Sequence, residues 1–335
     1  MATVQLADIY VPVPFNNAVD RAAIEMNRFA ASGILGSNDA LNAAAAVGGV
    51  LGELPFYNPL DISAEPNYTT DNPATLAVPD KITSAKQVYR RAMMHKSWSV
   101  MDLSIELSMK DPFKAITDKI GQYWATIIQK RVISSALGVL ADNVAGDAAD
   151  MRFSIATDAV AAITDAERIS ADAVISAKQT LGDHAGMLSA IAMHSVIYSR
   201  LQRQNLITFI PNARGEVNIP TYLGYEVIVD DSMPAVAGVN RITYTSILFA
   251  KGAIANGKGA PDVPSEMERL ASTGNGGGQT IIHTRKSEII HPYGFSTVTA
   301  PAGQSQTLAE LANANAWNRV VVRKNVGMAF LQTNG

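Results

Sequence analysis

The chain has no cysteine among its 335 residues. That excludes a disulfide scaffold, a thiolate metal site, an iron–sulfur cluster and a cysteine nucleophile. Charge is scarce as well: Asp, Glu, Lys and Arg make up 17%, where an ordinary globular chain carries about a quarter. With 47% apolar residues, a monomer would have little charge with which to cover its surface. The composition points to an oligomer, because interface cores are depleted of charge. Long hydrophobic runs are also missing. Residues 40–54 come nearest, but they are mostly Ala and Gly, are interrupted by Asn42, and fall short of the roughly 20 apolar residues of a membrane span. The opening MATVQLADIY has no basic stretch leading into an apolar one, so no secretory signal is expected and the chain reads as soluble and cytosolic. A net charge of −3 lacks the strong basic stripe of a nucleic-acid reader.

Catalytic signatures are absent too. There is no GxSxG, P-loop or HExxH, and Gly274, Gly276, Gly277 and Gly278 do not form GxGxxG because position 279 is Gln. The acid-rich segment 142–150 lacks the alternating ligand spacing of an EF-hand loop. The five histidines are dispersed; His194 is expected on a helix and His291 at a turn before a proline, in packing or turn roles and not in catalysis. Asn67-Tyr68-Thr69 matches a glycosylation acceptor, a chance match without a secretory signal. The residues therefore nominate no catalytic, cofactor-binding or metal-binding position, and no cofactor.

What is present is organised in blocks of charge. Residues 1–80 hold 2 basic against 9 acidic side chains, residues 81–131 hold 10 against 4, residues 132–199 hold 3 against 8, and the remainder holds 12 against 9. Solvated faces are the plain explanation; complementary segments meeting between neighbouring copies are the other.

The first 80 residues are rich in proline, at positions 12, 14, 55, 59, 66, 73 and 79, with a helix expected over about 17–31. They read as an arm that needs another surface to lie on. Leu103, Ile105, Leu107 and Met109 alternate with polar residues and predict a strand. Val88 to Arg91 predict a second, basic strand, and the two would form a long hairpin, marginal alone in water. Asp111 as N-cap, Pro112 at the first helical position and an apolar face from Phe113 through Ile120, Trp124, Ile128 and Val132 to Leu140 predict a helix of about 30 residues and roughly 45 Å. Gly121 and Gly138 weaken the case for its continuity. Downstream, Ser170 caps a predicted helix ended by Gly182, and a second helix is expected over 187–205. Strands are expected at 226–229, 242–250, 281–290, 297–299, 319–323 and 326–331, a flexible loop at 272–280 and a short helix at 308–315.

An arm, a long hairpin, a spine helix, a central α/β part and returning C-terminal strands, in that order, resemble the major capsid protein of tailed bacteriophages, the Hong Kong 97-like fold. The run Ala192-Met-His-Ser-Val-Ile-Tyr-Ser-Arg-Leu201 is similar to a coat-protein helix, and Tyr222 to Asp231 to the strand and turn after it. Phe249 to Ile254, Arg285 to Phe295 and Trp317 to Gly327 agree in order and spacing. The resemblance implies an α+β fold with an N-terminal arm (1–60), an extended E-loop hairpin with its flanks (61–110), a peripheral P-domain with the spine helix (111–165), a central A-domain (166–280) and return strands completing the P-domain (281–335). It further implies self-assembly as hexamers and pentamers into an icosahedral shell around double-stranded DNA, in a virion assembled in the host cytoplasm. The partners would be other copies of the chain, a separate scaffolding protein, a portal, a decoration protein and non-specifically held DNA, with no membrane and no maturation cleavage. Assembly contacts are expected at Lys86, Arg90, Arg91, Trp98 and Trp317. An encapsulin-type nanocompartment shell and a soluble oligomeric enzyme are the alternatives.

Overall fold

The computed structural model describes residues 28–37, 39–46, 49–60, 65–104, 112–211 and 218–335. Most of the helix expected over 17–31 lies outside them; its end is α1 (Arg28–Ala31), followed by β1 (Leu35–Gly36) and α2 (Asp39–Ala46). Next, β2 (Leu51–Tyr57) and β3 (Ser84–Met101) pair antiparallel, Leu51 opposite Arg90 and Tyr57 opposite Ser84. The hairpin's second strand is therefore upstream of the basic strand, not downstream as the alternation at 103–109 predicted. Residues 102–104 turn helical, and 105–111 lie outside the described residues. Pro55 disguises β2 in the sequence, yet β2 is the edge of its sheet, the place where a residue without an N–H is tolerated.

The spine helix α3 (Pro112–Gly146) runs unbroken for 35 residues, about 52 Å; its predicted cap, Asp111, lies outside the described residues. Ile120, Trp124, Ile128, Val132, Ala136 and Val139 are buried along it. Gly138 does not interrupt the helix because it serves packing: a methyl group there would collide with the Leu311 carbonyl oxygen and the Trp317 indole.

After β4 (Arg152–Ser154), α4 (Ala171–Gln179) begins where predicted, the Ser170 hydroxyl accepting the Ala173 N–H at 3.2 Å. The helix expected over 187–205 is instead β5 (Leu188–Met193) followed by α5 (Ser195–Arg203). Leu188 and Ala190 to Met193 are buried on both faces of a sheet, and a continuous apolar run of that kind carries no period to separate strand from helix. His194 caps α5, Nδ1 accepting the Val196 N–H at 3.2 Å.

The strands β6 (Thr208–Pro211), β7 (Asn218–Tyr222), β8 (Tyr225–Val229), β9 (Ala235–Ala237) and β10 (Ile242–Ala250) follow, then β11 (Ile254–Gly259), β12 (Ser265–Leu270), β13 (Gln279–Pro292) and β14 (Phe295–Thr297). The chain closes with α6 (Leu308–Leu311), β15 (Trp317–Arg319) and β16 (Met328–Thr333). The strand predicted at 319–323 is thus a short one that starts two residues earlier and leads into a turn.

Among the described residues there are two main sheets. One runs β1-β11-β13-β3-β2 with β12 also on β13; the other runs β4-β16-β10-β5-β8-β7-β6 with β9 also on β10. One core joins α3 to both: Val132, Ala136 and Val139 pack with Ile247, Phe249, Met328 and Phe330 of the second sheet, Ile254 and Ile290 of the first, and Leu311 and Trp317 of the C-terminal segment. A second core lies under α4 and α5, around Val174, Leu181, Ile197 and Leu201.

Candidate assembly surface

The strand β3 serves two partners. Its first half pairs with β2, and its second half, Arg91 to Met101, pairs with Ile289 to Gln279 of β13. The hairpin is continued for one more position by Asn58, whose N–H donates to the Thr83 carbonyl at 2.9 Å and whose side-chain amide donates to the Thr83 hydroxyl at 3.0 Å. Beyond that the chain leaves the body. Every residue from 65 to 84 is exposed, and Tyr57, Leu60, Tyr68, Leu76, Val78 and Ile82 are between 62% and 82% open to solvent. Local bonds shape the excursion, among them the Asn67 amide to the Val78 carbonyl at 3.3 Å and the Thr75 N–H to the Asn72 carbonyl at 3.1 Å. Residues 58–83 carry four carboxylates and one lysine.

The base of this excursion is fixed. Tyr89 on β3 crosses Gly52 on β2, where a methyl group would run into the tyrosine ring. Tyr89 meets His291 edge-on at 6.5 Å between ring centres, and His291 lies 5.9 Å from Trp317. His291 is 2% exposed; burial pushes its imidazole down to about 4, against a hydrogen bond with the Phe295 backbone that pulls the other way. The Trp317 indole N–H donates to the Leu311 carbonyl at 2.8 Å. A rigid column of rings thus ties the hairpin base to the spine helix.

A second apolar cluster crowns the loops at 156–163 and 237–242. Val160 and Val239 are 88% and 92% exposed, with Val236 and Ile242 beside them. They are held out stiffly. The Asp158 carboxylate accepts the N–H groups of Val239, Asn240 and Arg241 at 2.8, 2.8 and 2.9 Å, bonds that lower its pKa. Buried Arg241 donates to Glu167 at 2.7 Å and to Thr157 at 2.6 Å. Bonds from Thr157, the Thr164 N–H and Arg241 pull the Glu167 carboxyl down to about 2. A cavity of about 420 Å³ opens between the two loops, lined in part by Ala161, Ile163, Ile242 and Tyr244.

The residues expected to make contacts between subunits fall in different places. Lys86 sits on the hairpin, more than half exposed, paired with Glu53 across the strands at 2.6 Å. Arg90 and Arg91 reach carbonyls of their own chain, Gln304 at 3.3 Å and Ala45 at 3.1 Å, so they fasten β3 to the body. Trp98 is half-buried, edge-on to Tyr123 at 5.3 Å. Trp317, expected as an assembly contact, is instead 3% exposed and a core residue packed with the spine helix, because its own subunit covers it. The exposed valines at 160 and 239 were not singled out from the sequence, where a lone Val in an Ala-rich loop carries no period.

A spine helix between two sheets, with a long hairpin projecting from one of them, defines the Hong Kong 97-like class of capsid subunits. Solved capsids share it: that of Ralstonia phage GP4 (TM-score 0.60, 11% identity, 91% of this chain and 88% of that one) and the Cyanophage Pam1 capsid asymmetric unit (TM-score 0.57, 10% identity, 93% of each). At such identities the likeness is one of fold alone. Sequence goes further. The family described as Gp13-like, major capsid protein 13-like, matches residues 102–327, and the major capsid protein of Bacillus phage SPP1 is 34% identical over 330 residues, 97% of each chain. The chain belongs to this Gp13-like family of major capsid proteins. It forms a capsid shell and its place is in the virion, and the encapsulin reading is not favoured.

Proposed function

We propose that the chain builds its shell as hexamers and pentamers tiling an icosahedron around double-stranded DNA, through heterologous contacts that close into rings. The observation that carries this reading is the excursion 58–83, where Leu60, Tyr68, Leu76, Val78 and Ile82 are left uncovered among the described residues. Burying one such side chain on a neighbour contributes about 1.5–3 kcal/mol, so several together stabilise a contact well. Lys86 lies at the root of the same excursion and is its charged contact, with half-buried Trp98 lower on β3. Arg90 and Arg91 contribute by holding the root rigid.

In this reading the E-loop is β2, the first half of β3 and the segment between them. The P-domain is α3 with the second half of β3 on β13 and the C-terminal segment as far as β15, while β16 returns to the second sheet. The A-domain is the second sheet with α4 and α5, and its Val160 and Val239 tips face the ring axis. A scaffolding protein, a portal and a decoration protein are the partners of other chemistry, DNA is held without sequence preference through exposed Lys and Arg, assembly takes place in the host cytoplasm, and no reaction is assigned to the chain.

The test replaces residues 60–81 by a short Asn-Gly turn. The expected product is a folded, soluble subunit with an unchanged melting temperature that yields no particles by negative-stain microscopy. Particles of normal size from this variant would overturn the reading.

A further inference from the structure

The β12–β13–β3 sheet has two faces. Met94, Trp98, Met267 and Ile282 pack against Ile120 and Trp124 of α3. The alternate positions, His95, Glu266, Glu268, His283 and Arg285, therefore lie on the face turned away from the helix. There His95 Nε2 and His283 Nδ1 approach to 3.2 Å, with ring centres 5.4 Å apart. The centre-to-centre distance is nearly the N···N distance plus two ring radii, so the rings meet nitrogen to nitrogen and not face over face.

The tautomers follow from the neighbours. His283 Nε2–H donates to Glu268 Oε2 at 3.1 Å. A neutral imidazole has one N–H, so Nδ1 of His283 is bare and faces His95. A carboxylate behind a histidine, fixing its tautomer and raising its basicity, is the usual second partner of a metal-ligating imidazole. Arg285 is engaged by Glu266 at 2.5 Å, which tempers its charge.

We propose that His95 and His283 form a cross-strand site for a late first-row divalent ion such as Zn²⁺ or Ni²⁺, with water in the remaining positions. Two Zn–N bonds of about 2.0–2.1 Å place their nitrogens about 2.9 Å apart at a right angle and about 3.4 Å apart at the tetrahedral angle; the observed 3.2 Å lies between. The ion replaces the proton the pair shares. His95 moves its N–H to Nδ1, and its exposed ring pivots about the Cβ–Cγ bond so that both lone pairs converge, with no net proton released. Imidazole ligands select Zn, Cu and Ni over Ca and Mg. Among the described residues no third His, Cys, Asp or Glu converges with them, so the site stays open to solvent. Bound metal would staple β3, the strand that carries the hairpin, to β13.

The experiment is calorimetric titration of ZnCl₂ into the full-length, unassembled chain at pH 7.5, with melting followed in parallel. One saturable, EDTA-reversible site per chain and a raised melting temperature are expected. Both should vanish in His95→Ala and in His283→Ala. Glu268→Gln should weaken binding about 10–100-fold. His95→Gln keeps a hydrogen-bonding partner for His283, should melt like the parent without metal, and should still lose the site. No saturable binding, equal binding of Mg²⁺, or binding that survives both histidine substitutions would overturn the proposal.

Discussion

Strand β10 and the excursion 58–83 are opposite solutions to the same problem. Ile247, Leu248 and Phe249 are no more than 1% exposed, covered on both faces by their own subunit, whereas Tyr68, Leu76 and Val78 are 72–82% exposed. Hydrophobicity alone does not decide which residues are inside; available partners do. In the body, α3 and two sheets supply them within one chain. Along the excursion, prolines 59, 66, 73 and 79 disfavour a regular element that could fold back, and among the described residues none covers Tyr68, Leu76 or Val78.

The largest effect that probes this contrast is Trp317→Ala. Emptying a buried aromatic site costs about 3–5 kcal/mol, a large share of a typical 5–15 kcal/mol stability, and the variant should collect as insoluble protein. The matched change on the excursion, Tyr68, Leu76 and Val78 all to Ser, should leave the denaturation midpoint within about 0.5 kcal/mol and stop particle formation. An unchanged melt for Trp317→Ala, or an unfolded triple variant, would break the contrast.

Acid should act on the body next. His291 is neutral when folded, held down to about 4, while the unfolded chain takes up a proton near 6.5. The folded state binds fewer protons in that window, so stability is complete above about pH 6.5 and declines as pH falls toward 4, by up to about 3 kcal/mol. His291→Gln should flatten the curve of urea midpoint against pH between those values; a curve as steep as the parent's would assign the acid sensitivity elsewhere.

Two changes of about 1 kcal/mol have opposite signs. Ser170→Ala removes the cap of α4 and should destabilise by about that much. Asp142 near the end of α3 has its carboxyl pushed up to about 6 by burial and by Asp147, with Arg319 opposing. Its charge is unwelcome at neutral pH and at a helix C-terminus, so Asp142→Asn should stabilise at pH 7.5, and less so at pH 5, as chemical denaturation would read. Smallest is Lys86→Glu: an exposed pair contributes at most about 1 kcal/mol, so the melt should barely move while particle yield falls. Unchanged yield would remove Lys86 from the contact surface.

Where the sequence pattern was local, it predicted well. The 3.6-residue period of α3, the Ser170 cap and the unbroken strand at 242–250 are set by neighbours a few positions away. The errors came where a distant partner decides. Residues 188–193 are a strand because β10 and β8 flank them; nothing within the run says so. The alternation at 103–109 points downstream for the partner of β3, because Pro55 hides the alternation of Gly52, Leu54 and Phe56 in β2. Of the contact residues, Lys86 sits on the projecting surface, Arg90, Arg91 and Trp98 serve its root, and Trp317 is interior. A tryptophan flanked by Ala and Asn gives no indication of what will cover it.

The pairing of β3 also sets how the subunit bears load. A pull on the hairpin tip runs along β3 into β13, where eleven consecutive positions, Arg91–Ile289 to Met101–Gln279, are in register. Antiparallel hydrogen bonds lie perpendicular to the strands, so tension along β3 loads them all in shear at once and does not peel them one by one. A shell strained from within would pass stress from one subunit to the next through a joint that resists as a block, while the loop beyond Thr83 stretches first and takes up the slack.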